Sequence, residues 1–217
     1  MPTPAKTGNE PSPFYKTHYI EGKDGCPLPF VFNDVMGLEV GEAGAHSQDI
    51  IRALSGILQE GYNFDPASSA SMKDLGYRSN PSLEDQTFCL VNIMAADIVS
   101  VMKQGVIEKM KKIREAATQL NMPQVVILTR PDLACPLVKQ DIKKIYISKK
   151  IKEKMEECKN LLGIPVNHIF PVKNYHEEIE TDDGMDALIL KALDQIVNIA
   201  CDAVKRKTSL NFGEKSE

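Results

Sequence analysis

The sequence predicts an α/β fold with a mainly parallel sheet, helices on both faces and a β-hairpin on the N-terminal side. Three observations carry that expectation. From Phe88 onward, short apolar runs alternate with stretches of helical period, the pattern of parallel strands joined by helices. Near the start, two β-prone runs flank Gly22-Lys23-Asp24-Gly25, and Asp-Gly between such runs signals a hairpin. No internal repeat or low-complexity tract points to another architecture.

Residues 1–13 are polar and proline-rich and read as a disordered arm. Tyr15 to Glu21 and Leu28 to Asn33 form the hairpin strands. Over 44–60, Ile50, Ile51, Leu54, Ile57 and Leu58 share one helical side, and Gly61 ends the helix. Residues 62–87 are rich in Ser, Asn, Pro and Asp and read as a long surface insertion. Phe88 to Met94, Gln124 to Thr129 and His168 to Val172 read as buried strands. Val106, Met110, Ile113, Ala117 and Leu120 mark a helix over 103–121. Ile151, Met155, Cys158 and Leu162 mark another, stopped by Gly163. The last helix starts at a cap, Asp182 or Asp183, and repeats Met185, Leu188, Ala192, Ile196, Ile199 and Ala203. One domain over 14–205 and a flexible tail over 206–217 complete the expected organisation.

The composition excludes several function classes. Lys+Arg is 26 and Asp+Glu is 30, a net charge of −4, so the chain has no global attraction for nucleic acid or anionic membrane. Five cysteines at long spacings, without a CxxC, argue against a disulfide framework and for a reducing compartment. No apolar run reaches the ~18 residues of a membrane span. The four histidines are scattered without ligand spacing, so no metal site is expected. G-x-S-x-G is absent, and no catalytic residue is assigned. Cys135 reads as a packed thiol. The lysines of KKIKEKMEECK read as a solvated helix face, and Glu177 to Asp183 as a solvated acidic run before a helix.

Ligands of open parallel sheets bind beyond the carboxyl ends of strands. Asp34-Val35-Met36-Gly37 has the form D-x-x-G. At a strand end its Asp holds a Mg²⁺-bound water, and its Gly amide meets a γ-phosphate. Thr129-Arg130-Pro131-Asp132 resembles the [NT]-K-x-D guanine reader, in which the Asp accepts from the base and a cationic side chain lies along the ring. Pro171-Val172-Lys173-Asn174 stands where Ras-type GTPases carry a loop against the guanine carbonyl. Each alone is a common strand-end turn. Three in order point to a P-loop GTPase-like fold of the Ras type.

The resemblance is closer than that. LPFVFNDVMGLEVGEAGAHSQDII, EGYNFDPASS and QVVILTRPDLACPLVKQDIKK, with the spacing between them, resemble the interferon-induced protein 44 and 44-like family over roughly residues 15–205. The resemblance implies a GTPase-like domain, a cytoplasmic location and a role in interferon-induced, antiviral immune responses. Carried over, Asp34 and Gly37 are the switch-like, Mg²⁺-side pair. Thr129, Arg130 and Asp132 read the base, and Val172 and Lys173 flank it.

The chain departs from that pattern in one respect. Relatives carry an upstream strand and a phosphate-binding loop, and G-x-x-x-x-G-K-[ST] is not found between Met1 and Glu217. Leu38 occupies the place of the glutamine that orients water in Ras-type enzymes. The expectation is therefore an incomplete Ras-type sheet lacking its first strand and phosphate loop, as in a truncated form. The missing strand would lie between those ending at Asp34 and near Met94, leaving edges open to a homo- or hetero-oligomeric protein partner. GTP with Mg²⁺ is held weakly at most, because the phosphate loop makes most phosphate contacts. The function expected is a pseudo-GTPase-like interaction module. The alternatives are a GTP-binding protein completed by a partner or an upstream segment, and, less favoured, an RNA-contacting factor.

Overall fold

The computed structural model describes residues 13–41 and 44–213. The predicted arm lies outside the described residues apart from Pro13, as do residues 214–217 of the predicted tail. The chain divides into two compact units, Met1–Asp85 and Gln86–Glu217.

In the first unit, β1 (Lys16–Glu21) and β2 (Pro27–Asp34) pair antiparallel around the Asp24-Gly25 turn. Gly22 N–H donates to Cys26 O at 2.8 Å, and Gly25 takes φ +76°, a conformation that favours glycine. This hairpin is a two-stranded sheet of its own. Half-buried and exposed positions alternate along β2 and none is fully buried, whereas a strand of a parallel sheet is covered on both faces.

Helix α1 (Ser47–Leu54) is shorter than the 44–60 expected. Gly56 turns the chain with φ +78°, and a Cβ there would stand 2.7 Å from Asp85 O. Leu58 then bridges Tyr77. The long insertion is tied down from beneath by Asp49, which is fully buried on the inner side of α1. Its Oδ1 accepts from Arg52 Nη1 at 2.9 Å, Ser69 Oγ at 2.6 Å and Ala70 N at 2.8 Å, while Oδ2 is buried without a donor.

The second unit carries a three-stranded parallel sheet in the order β3 (Leu90–Ala95), β4 (Gln124–Thr129), β5 (Ile169–Val172). The structure is thus mixed α/β and compatible with a Rossmann- or P-loop-like fold. Val125 and Val126 point to opposite faces of β4, and both are fully buried. Helix α2 (Gln104–Gln119) connects β3 to β4 and buries Ile107, Met110, Ile113 and Ala117. The short α3 (Pro131–Ala134) and α4 (Pro136–Gln140) follow β4, and a 3-10 helix (Ile142–Ile147) leads on to α5. Helix α5 (Lys149–Leu162) is capped by Ser148 Oγ, which accepts from Ile151 N, and ends at Gly163 with φ +67°. Helices α5 and α6 (Asp183–Gly213) both pack on β5. Asp182 Oδ1 accepts from Met185 N at 2.8 Å, the cap that the sequence indicates.

Helix α6 continues past Lys205, where the sequence suggests that it frays. Thr208 Oγ1 donates to Val204 O at 3.0 Å, and Lys207 Nζ lies 5.4 Å from the centre of the Phe88 ring while donating to Gln86 at 3.1 Å. A polar-looking turn is thereby held by contacts that its own period does not reveal.

Two substitutions test this architecture. Leu128→Ala, at a fully buried position of β4, is expected to lower unfolding free energy by about 2–5 kcal/mol in a denaturant titration. Asp49→Ala strands the Ala70 amide and the Arg52 charge. It is expected to cost about 2–4 kcal/mol and to speed proteolysis within 65–70, while a neutral cost would show that the insertion is held otherwise.

Candidate functional site

The carboxyl ends of three parallel strands gather four of the chain's charged groups. Asp97 follows β3, Arg130 and Asp132 follow β4, and Lys173 follows β5. The parallel register sets this up: Ala95 pairs with Thr129 and Thr129 with Val172, so the three strands stop level. Ala96 N–H donates to Thr129 O at 2.8 Å, and Thr129 Oγ1 donates to Met94 O at 3.2 Å. Thr129 therefore serves the strand ends rather than pointing a free hydroxyl outward.

Arg130 adopts the left-handed conformation, φ 54° and ψ 44°, just before Pro131 opens α3. A non-glycine residue there is uncommon and marks a constrained turn. Its Nη2 lies 2.8 Å from Asp97 Oδ1. No N–H is aimed along that line, and Asp97 Oδ1 is buried without a hydrogen-bond donor, so the contact is an ion pair of poor geometry. Asp132 is half-buried in the first turn of α3.

Val172 is buried and Lys173 half-buried. Lys173 Nζ is ion-paired with Glu178, whose Oε2 also accepts from His176 N at 2.8 Å and Glu177 N at 3.2 Å. The Lys173 ammonium, and then the amide donors, hold the Glu178 carboxyl down at about 2. Tyr175 Oη donates to Asp186 Oδ1 at 2.7 Å and accepts from Asp182 N at the same distance, pinning this loop to the start of α6.

Asp34 and Gly37 belong to the first compact unit and the other five to the second. Asp34 is exposed and pairs in register with Lys16. Gly37 is exposed, and its carbonyl accepts from Ala45 N at 3.0 Å. A Cβ at Gly37 would meet nothing within 4 Å, so local packing does not demand glycine there.

Sequence reasoning missed Asp97, although the strand-end rule that singled out Arg130 applies equally two residues beyond β3. It also missed Lys154, buried on α5, which donates to Ser100 and to Glu157 Oε1 at 3.1 Å. A lysine run gives no sign of which member faces inward. Burial raises the thiols of Cys89 and Cys158 to about 12, which removes both as nucleophiles. Among the described residues no three metal-ligating side chains cluster, and no described helix is long and apolar enough to cross a membrane.

The sequence comparisons decide the family. Human interferon-induced protein 44 is 33% identical over 189 residues, 87% of this chain and 43% of the relative. The mouse protein of that name is 31% identical over 86% of this chain and 44% of its own length. Human interferon-induced protein 44-like is 27% identical over 84% and 40% respectively. Over this span, the chain belongs to the interferon-induced protein 44 and 44-like family. It spans less than half the length of the curated relatives it matches. No family model and no solved structure matches it.

The Lys173–Glu178 pair predicts a titration. A carboxyl held below its ordinary value contributes stability above about pH 4.5, and loses it as pH falls towards about 2. Lys173→Ala removes the main cause. Carboxyl NMR of that variant is expected to show the Glu178 midpoint rising from about 2 towards its ordinary value, with the loop amides still holding it below that value; an unchanged midpoint would assign the shift to the loop amides alone.

Proposed function

We propose that this member of the interferon-induced protein 44 family is an interferon-inducible immune-response protein, acting in the cytoplasm as a degenerate GTPase-like interaction module. The observation that carries the reading is at the strand ends. Both cations available to a guanine base, Arg130 and Lys173, are engaged by carboxylates of the chain itself. Residues 1–217 also contain no glycine-rich phosphate loop. A triphosphate needs a concave array of main-chain donors with a lysine, and base contacts alone supply only about 4 kcal/mol, millimolar affinity. Interferon induction is taken from the names of the relatives. The five free cysteines fit a reducing compartment.

Calorimetric titration of this chain with GTP and Mg²⁺ tests the reading. A Kd of about 1 mM or weaker is expected, and a micromolar Kd overturns it. A second reading is favoured by the length of the relatives, of which 43% is matched by this chain in the human protein. There, a segment beyond these 217 residues, or a partner, supplies the phosphate site to Thr129, Arg130, Asp132, Val172 and Lys173. A GTP-induced rise in melting temperature that appears only when a full-length relative is mixed with this chain supports that alternative.

A further inference from the structure

Two stretches of the second unit carry opposite charge and uncovered apolar side chains. Residues 143–152 hold five lysines and no acid, and residues 177–183 hold five acids and no base. Lys143, Lys149 and Lys152 are exposed and make no ion pair among the described residues. Between them, on the 3-10 helix, Tyr146 is 64% and Ile147 75% exposed. In the acidic stretch Glu177 and Glu180 are exposed, and Ile179 stands wholly in solvent at 101%. Bare isoleucine in the middle of a charged loop is poor design for a surface that meets only water.

The two stretches are neighbours. Gly184, at the start of α6, sits so close to the 3-10 helix that a Cβ there would be 2.8 Å from Ile142 Cγ2 and 3.6 Å from Lys143 Cγ. A positive and a negative stretch, each with an exposed apolar side chain, therefore adjoin where the start of α6 meets the 3-10 helix. A two-fold rotation brings the positive lobe of one copy onto the negative lobe of the other, twice over. An acidic or a basic partner would satisfy one lobe and be repelled by the other.

We propose that this face docks a second copy of the chain in a two-fold dimer, with Lys143 and Lys149 facing Glu177 and Glu180 of the other copy and Tyr146, Ile147 and Ile179 buried between them. This deepens the interaction-module reading and rests on it. Encounter is steered by the exposed charges, so association weakens as salt screens them over about 8 Å. The apolar tips supply the area removed from water.

Sedimentation equilibrium of the intact chain tests this. The wild type is expected to dimerise at low salt and to weaken about tenfold or more in high salt. Lys143→Glu with Lys149→Glu, and separately Glu177→Lys with Glu180→Lys, should each be monomeric, because like charges then face one another in both halves of the interface. An equimolar mixture of the two variants should dimerise again, since every reversed lobe meets its complement. Misfolding cannot produce that rescue. A wild type that remains monomeric, a reversal that leaves the dimer intact, or a mixture that stays monomeric overturns the proposal. None of these outcomes touches the nucleotide titration, by which the interaction-module reading stands or falls.

Discussion

Strand β4 is hydrogen-bonded along both edges and covered on both faces, and the rest of the second unit is arranged by that condition. A parallel ladder fixes the direction of its neighbours, so β3 and β5 must end at the same side as β4. Their connections must then return across the sheet as helices. The burial of Val125, Val126 and Leu128 thus determines where Asp97, Arg130 and Lys173 emerge. Charge in this region is the passenger of an apolar constraint.

The strand-end groups then settle locally. Arg130 takes a left-handed turn between β4 and Pro131, the first residue of α3, and its side chain pairs with Asp97. Lys173 meets the loop before α6, whose Tyr175 and Asp182 hold that loop in place. Both pairs are only partly exposed, and pairs open to solvent contribute on the order of 1 kcal/mol each.

Much of this was legible in the amino-acid order. The limits of β4, the Gly163 stop and the Asp182 cap follow from local rules, because each depends on residues within one turn of the chain. The strand-end positions of Thr129, Arg130, Asp132, Val172 and Lys173 followed from the same reading. What escaped depends on contacts distant in sequence. Asp49 looks like a solvated helix residue until Ser69 and Ala70, some twenty positions on, are brought against it. Asp97 becomes visible as a partner only when the β3–β4 register is known. The end of α6 was obscured because Lys207 is polar in composition yet lies over Phe88.

Helix α6 has 31 residues, about 45 Å at 1.5 Å per residue, more than twice the length of any strand it serves. A continuous rod of that span behaves as a lever. Its first turn is fastened through Tyr175 and Asp186, and its last part through Phe88 and Gln86. The two anchored ends are linked by one unbroken run of helical backbone hydrogen bonds. The segment that opens β3 and the loop that closes β5 are joined mechanically, though more than 80 residues of chain separate them.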